Sequence, residues 1–302
     1  MLNRLTRLVL FGNYFYGFCT IALSIEASLQ QHAPLNSLTY YFFVFVSTVL
    51  YYTHAYIAEP TAHPNNLRAN WYFEHRKTIR VTQFILTVLF FAIGFVLLRD
   101  NWQSIKELSL MEWAIILVFP VAAALYYGSA APQGPTYNLR NKGWFKPFVI
   151  GFVWAGAVTV YPVLFASIEQ HTEYVLNYVS LLLFIKNFMY ITMLCIMFDI
   201  KDYAADHNHR LKTFVVRYGL RKTIFYILIP LTLIGLGTFI LYGILRSFPF
   251  LRILVNAVPF LLLIIVAYSM HRRKSILYYL AIIDGLMLVK AACGIIGISL
   301  IK

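Results

Sequence analysis

Residues 181–198 of the chain read LLLFIKNFMYITMLCIMF, and Asp199 follows directly. As an α-helix, about 18 residues extend for about 27 Å, which is close to the thickness of about 30 Å of a bilayer's hydrocarbon core. Lys186 is the one charged residue in this run. The run is typical of a helix that crosses a membrane and ends at the membrane surface.

Similar apolar runs recur through the 302 residues, of which 60% are hydrophobic and only 12% are charged. The mean hydropathy is +0.70, whereas soluble domains carry about 25% charged residues. We therefore predict an all-α, polytopic membrane bundle of about nine transmembrane helices, which forms a single domain over residues 1–302. The predicted spans are 8–28, 37–58, 79–98, 111–128, 147–168, 174–199, 223–245, 250–270 and 275–299.

The distribution of lysine and arginine orients these spans. The net charge is +13, and 18 of the 25 Lys and Arg residues fall on the side of the predicted topology that holds the N-terminus, against five on the other side. Cytoplasmic loops of membrane proteins carry this excess. We therefore predict a multi-pass protein of a bacterial cytoplasmic membrane with its N-terminus in the cytoplasm. The basic balance reflects topology and contact with membrane lipids rather than nucleic-acid binding.

Three aspartates, Asp199, Asp202 and Asp206, follow the quoted run. At about 3.6 residues per turn, their spacing places them within an arc of about 60° on one helix face. Carboxylates in or near a bilayer carry a desolvation cost, so such a stripe is favoured where a cation neutralises it. Oxygen ligands suit Mg²⁺ or Mn²⁺, and Mg²⁺ is usually bound by carboxylates together with substrate phosphate oxygens.

Basic residues follow the aspartates closely: Arg210, Lys212 and Arg217. A diphosphate carries more negative charge than one Mg²⁺ neutralises, so neighbouring cations favour its binding. The alternative is a solvated helix end where Asp and Arg pair with one another. The segregation of the acids to one face disfavours that alternative.

The segment DIKDYAADHNHRLKTFVVRYG, residues 199–219, closely resembles the second aspartate motif, D-x-x-D-x-x-x-D, of the UbiA-type intramembrane prenyltransferases. Residues 139–156, LRNKGWFKPFVIGFVWAG, are similar to that family's basic loop and fifth helix. The family has nine transmembrane helices, with aspartate motifs after helices two and six at the cytoplasmic mouth. The topology predicted above places residues 59–78 and 200–222 together on the cytoplasmic side.

The resemblance implies a UbiA-like fold and an enzyme that transfers a prenyl or related polyisoprenoid group from its diphosphate to a hydrophobic acceptor, such as an aromatic quinone precursor. It implies that Mg²⁺ is the cofactor and that the catalytic and metal-binding residues are Asp199, Asp202 and Asp206. The candidate contacts to the substrate's phosphates are then Arg210, Lys212, Arg140, Lys142 and Arg68.

The family's first motif, N-x-x-x-D-x-x-x-D near the end of helix two, is absent. Residues 51–68 read YYTHAYIAEPTAHPNNLR, and no Asp precedes residue 100. His54, Glu59 and His63 are candidate replacements, but His54 and Glu59 are poorly spaced for one helix face, and Pro60 predicts a helix end.

Two other functions therefore stay open. One is a non-catalytic or altered relative that binds an isoprenoid lipid or supports a partner enzyme. The other is a cation-coupled transporter, which is disfavoured because transporters bind near the midplane and these acids lie at the membrane edge.

Four further ionisable residues fall inside predicted spans: Glu26, Lys186, Asp284 and Lys290. Glu26, near the far end of the first span, either extends outward to the membrane surface or pairs with a neighbour. Asp284 and Lys290 are candidates for function, and buried polar pairing between helices is the alternative. Lys186 lies about 20 Å from Asp199 along the helix, so it is not a natural partner for the aspartates.

Overall fold

The computed structural model describes residues 4–58, 67–127, 143–208 and 211–299. Within these ranges every regular element is a helix, which confirms the all-α prediction. In chain order the helices are α1 (Arg4–Phe11), α2 (Tyr14–Gln30), α3 (Leu38–Ala58), α4 (Leu67–Glu74), α5 (Arg76–Asp100), α6 (Trp102–Lys106), α7 (Leu110–Tyr127), α8 (Lys146–Glu169), α9 (Tyr178–Asn208), α10 (Phe214–Tyr218), α11 (Leu220–Leu245), α12 (Phe250–Ser269) and α13 (Ile276–Ser299).

Six of the described helices are long and apolar enough to cross a membrane: α5, α8, α9, α11, α12 and α13. α1 and α2, which meet at a bend of 63°, would together form a seventh span. The fold is therefore that of a multi-pass helical membrane protein. The two remaining predicted spans, 37–58 and 111–128, correspond to α3 and α7. Because α3 is rich in Tyr and Thr and α7 is short, these two helices stay predictions as membrane spans.

The outer surface of the bundle is apolar. On α5 the large side chains of Val81, Phe84, Phe91 and Phe95 are all more than half exposed. Water-soluble proteins rarely expose contiguous apolar surface of this kind, whereas lipid tails solvate it without cost. α5 packs on α3 through a small cluster that contains Val46, Val49 and Leu86.

The core of the bundle surrounds α9. Fully buried side chains of α9 pack against α2, α8, α11, α12 and α13, and they include Tyr190, Met193, Ile196 and Met197. Three of the neighbouring helices contain a π-helical turn: Gly156–Val160 in α8, Thr223–Leu228 in α11 and Tyr279–Ile283 in α13. In α8 and α11 a proline, Pro162 or Pro230, follows the turn. Proline has no N–H for the helical ladder, so the local pattern of hydrogen bonds changes there.

Candidate functional site

The three predicted aspartates lie on the last turns of one uninterrupted helix, α9. Asp199 is fully buried and Asp206 is nearly so, whereas the side chain of Asp202 is 40% exposed. The carboxylates are close enough for Asp202 and Asp206 to repel the charge of Asp199. The spacing thus produces the single acidic face that the sequence predicted, at the end of a candidate span.

Lys146 is the direct partner of the acidic face. Its Nζ donates to Asp199 Oδ1 at 2.8 Å, because α8 begins at Lys146 and packs along α9. The second oxygen, Asp199 Oδ2, is buried and accepts no hydrogen bond from the described part of the chain. On the exposed side, Lys201 pairs with Asp202 at 2.6 Å.

Lys146 lies in the basic stretch of residues 139–156 but was not among the predicted site residues. The available signal was its position immediately before Pro147, at the start of an apolar run. A lysine there begins the span, so its side chain lies at the same depth as the end of a neighbouring antiparallel span.

The segments that flank the acidic face contact each other. A Cβ atom placed on Gly143 would lie 2.7 Å from Thr213 N, so the chain before α8 packs directly on the chain after α9. Thr213 Oγ1 accepts from Val216 N and begins α10, and Gly219, with φ at 80°, ends it. The threonine and glycine of the motif thus shape a tight turn beside the aspartates.

The predicted phosphate contacts are only partly described. Lys212 is exposed beside Thr213, on the turn that follows the aspartates. Arg210, Arg140 and Lys142 lie outside the described residues, as do Glu59 and His63.

Arg68 lies in the break between α1 and α2. Its guanidinium donates to the Phe11 carbonyl at 3.1 and 3.2 Å and to Asn13 Oδ1, and it packs over the Tyr56 ring. The Tyr72 hydroxyl also donates to Phe11 O, at 2.9 Å. Burial raises the pKa of Tyr72 to about 12, so this hydroxyl stays protonated at neutral pH. Arg68 and Tyr72 therefore satisfy the Phe11 carbonyl, which the break between α1 and α2 leaves without a helical partner.

A large groove lies beside the acidic face. It has a volume of about 920 Å³ and is walled by α2, α3, α5, α7 and α8. His54 lines it, and so do Val149 and Ile150, one helical turn along α8 from Lys146. Its aromatic lining consists of Tyr51, Tyr52, Phe90, Phe91, Tyr126 and Trp154.

The groove and the acidic face are neighbours. Tyr126, on the groove wall, lies close enough to Lys146 to interact with its charge. Tyr52 accepts a hydrogen bond from Trp154 Nε1 and stacks on Tyr16 at a ring distance of 4.6 Å. The indole N–H of Trp154 and the hydroxyl of Tyr52 thus satisfy each other, and the groove offers ordered aromatic faces.

The donor atoms of the acidic face fit a hard divalent cation. Within the described ranges no three His, Cys, Asp or Glu side chains are arranged to hold one metal ion. Mg²⁺, however, is commonly held by one or two carboxylates, with water and substrate phosphate oxygens as its other ligands. Asp199 Oδ2, buried beside two further carboxylates, is a suitable ligand for such an ion.

The charges inside the spans form a second polar centre. Glu26 on α2 is fully buried, pairs with Lys290 of α13 at 2.6 Å, and lies 3.8 Å from Lys186 of α9. Buried polar pairing between helices, one of the two alternatives from the sequence, is thus what the structure shows for Glu26 and Lys290. Asp284 is buried near the Tyr16 hydroxyl.

Comparison with models of known protein families, with curated proteins and with solved structures found no match to this chain. The chemistry of the site therefore has to be argued from its own residues.

Proposed function

We propose that the protein is a membrane-embedded, Mg²⁺-dependent prenyltransferase, with a UbiA-like bundle of nine spans. The observation that carries the proposal is the buried carboxylate of Asp199, which lies beside a large aromatic groove and has one oxygen that accepts no hydrogen bond from the described residues. In the proposed reaction the C1–O bond of a prenyl diphosphate breaks and the diphosphate leaves with the electron pair. A carbon–carbon bond forms to a hydrophobic, aromatic acceptor, which loses a proton.

The residues of the acidic face would bind and orient the diphosphate. Asp199, with Asp202 or Asp206, would hold the metal, which supplies positive charge to the leaving group when bound. Lys146 donates to one oxygen of Asp199, and the other oxygen accepts no hydrogen bond from the described part of the chain. Lys212, on the adjoining turn, would contact the phosphates, and so would Arg210, Arg140 and Lys142.

The groove would bind the isoprenoid chain and the acceptor. Its volume of about 920 Å³ is that of a large ligand pocket. The faces of Tyr51, Tyr52 and Trp154 favour positive charge that develops on the prenyl carbon. Apolar walls also exclude water, which would otherwise capture that carbon and produce an alcohol.

A second function is favoured by the ion pair of Lys146 and Asp199. Because the ammonium group already neutralises this carboxylate at 2.8 Å, a metal is not needed to explain its burial. In a protein that binds an isoprenoid lipid without breaking it, this pair would be purely structural and the groove would be the binding site.

One assay separates these two functions. Purified protein in lipid nanodiscs is given radiolabelled prenyl diphosphate, Mg²⁺ and a panel of aromatic acceptors, and the prenylated product and free diphosphate are measured. A transferase yields prenylated product and free diphosphate in equal amounts. Its rate should fall at least 100-fold when Asp199 is changed to Asn, because removal of other groups that stabilise charge in a transition state lowers the rate about 10²–10³-fold.

The matched control is Asp100→Asn, which removes an exposed carboxylate that pairs only on the surface with Arg99. This variant retains full activity. Retention of the labelled diphosphate without product, in both the unchanged protein and Asp199→Asn, supports the lipid-binding function and overturns the transferase.

The orientation that we propose places the N-terminus and the acidic face in the cytoplasm. It is supported by the excess of Lys and Arg on that side of the predicted topology. Prenyl diphosphates, which are too polar to cross a bilayer, would then reach the site from the cytoplasm.

A further inference from the structure

A second cavity lies between α9, α11, α12 and the ends of α2 and α13. Its volume is about 320 Å³, and most of its lining is apolar, with Leu182, Met189 and Phe260 as examples. It includes Gln30, the last residue of α2, and Arg252, in the first turn of α12. The cavity thus opens near helix ends, where lipid headgroups meet hydrocarbon.

The cavity contains two cations, Lys186 and Arg252. Lys186 also lies 5.5 Å from the Phe239 ring, and Arg252 lies 4.0 Å from the Phe248 ring. The Lys186 side chain is only 19% exposed and Arg252 is partly buried, so water alone does not fully solvate either charge.

The cations around this cavity outnumber the acids. Lys186 is close enough to Lys290 and to Arg252 for their charges to repel its own, and Glu26 is the acid that the described contacts place beside it. Lys290 takes the near contact with Glu26, at 2.6 Å, and Lys186 has only the longer one, at 3.8 Å. The centre therefore carries two positive charges in excess, in surroundings where uncompensated charge is costly.

Two glycines of α13 make room for this centre. A Cβ on Gly294 would lie 2.5 Å from Glu26 Oε1, and a Cβ on Gly297 would overlap Asn256 Nδ2. Asn256 lines the cavity with Arg252. The helix surface is thus shaped to admit polar side chains beside a cavity that is otherwise apolar.

From this combination we infer that the cavity binds an anionic phospholipid. The phosphate lies between Lys186 and Arg252, and the first carbons of an acyl chain lie against Leu182, Met189 and Phe260. A volume of 320 Å³ is that of roughly ten water-sized groups at about 30 Å³ each. It therefore holds the head and the start of one chain, and the rest of the lipid extends into the bilayer. This site is independent of the proposed transfer reaction.

The test uses thermal unfolding of the purified protein in an uncharged detergent, titrated with dioleoyl phosphatidylglycerol, dioleoyl phosphatidylcholine or oleate. Phosphatidylglycerol raises the unfolding midpoint in a saturable way, and zwitterionic phosphatidylcholine raises it far less. Each cation donates hydrogen bonds to the charged phosphate, and the substitution of either cation by glutamine removes these bonds. We therefore expect Lys186→Gln and Arg252→Gln each to weaken apparent binding about tenfold to a hundredfold.

The matched control is a double variant, Arg99→Gln with Lys106→Gln, which removes one arginine and one lysine elsewhere on the protein. It keeps the full response to phosphatidylglycerol. Arg252→Gln is the second test variant because it leaves the ion pairs of Glu26 intact, so its folding does not depend on them. An equal response to phosphatidylglycerol and phosphatidylcholine overturns the inference. So does an unchanged response in both cavity variants, or stabilisation by oleate alone.

Discussion

Removal of Glu26 tests the energetics of the buried polar centre most directly. Its carboxylate is fully buried, accepts from Gln30 Nε2 at 2.6 Å and from Lys290 Nζ at 2.6 Å, and lies 3.8 Å from Lys186 Nζ. The substitution Glu26→Gln keeps the shape of the side chain and removes the negative charge. It leaves two ammonium groups facing each other across a neutral amide.

The expected size of the effect follows from these distances. Removing one partner of a buried ion pair costs about 3–5 kcal/mol. Coulomb attraction falls with the inverse of distance, so Lys186 retains about two thirds of the attraction that Lys290 has for Glu26. We therefore expect Lys290→Met to cost about 3 kcal/mol and Glu26→Gln about 5 kcal/mol. The double variant should cost less than Glu26→Gln alone, because it leaves one buried cation instead of two.

The assay is unfolding from mixed micelles by increasing mole fractions of SDS, followed by tryptophan fluorescence. The control is Glu107→Gln, an exposed position, where a loss of no more than about 0.5 kcal/mol is expected. If Glu26→Gln is no more destabilising than Glu107→Gln, or if Lys290→Met costs more than Glu26→Gln, the assignment of Glu26 as the shared counter-charge is refuted.

Two further predictions concern single contacts. Lys146→Gln removes the ammonium group at Asp199, so added Mg²⁺ should raise the unfolding midpoint of this variant more than that of the unchanged protein. The midpoints are measured by differential scanning calorimetry. An equal shift in the two proteins would contradict a metal at that carboxylate. Gly294→Ala should destabilise the protein, because its Cβ would lie 2.5 Å from Glu26 Oε1. Gly237→Ala, where a Cβ meets open space, should instead be neutral or stabilising by up to about 1 kcal/mol, and the same SDS titration compares the two glycine variants.

The helices could be predicted because their signal is local. About 20 apolar residues in a row predict a spanning helix whatever the rest of the chain does. Each predicted span overlaps described helical residues, and six of the described helices are long and apolar enough to cross a membrane. The bend between α1 and α2 was not predicted. It depends on Asn13, whose φ is 66° and whose amide donates to Thr53 and Tyr72, and these contacts join residues that are 40 and 59 positions apart.

The acidic face was predictable for the same reason, since the spacing of its aspartates is fixed by one helix. The depth of its partner Lys146 could be predicted from the apolar run that follows it, but the pairing with Asp199 could not, because the two residues are 53 positions apart and their contact depends on how α8 packs on α9. Arg68, which was predicted to bind phosphate, donates to Phe11 O in the structure, and its contact to a phosphate stays a prediction. Charge alone could not distinguish a main-chain carbonyl from a phosphate oxygen as its acceptor.

The acidic face and the centre around Glu26 carry charges of opposite sign, which favour ligands of opposite charge. Near one end of α9, a carboxylate oxygen of Asp199 is buried without a hydrogen bond from the described chain, and such an atom requires a donor or a cation. Nearer the other end of the same helix, Lys186 shares one acid with a closer lysine and faces a cavity that also holds Arg252. That arrangement favours an anion, as we inferred for the cavity. Since each buried charge is costly unless it is compensated, we expect Mg²⁺ to stabilise the Asp199 end of α9 and an anionic phospholipid to stabilise the Lys186 end, each without the other ligand present.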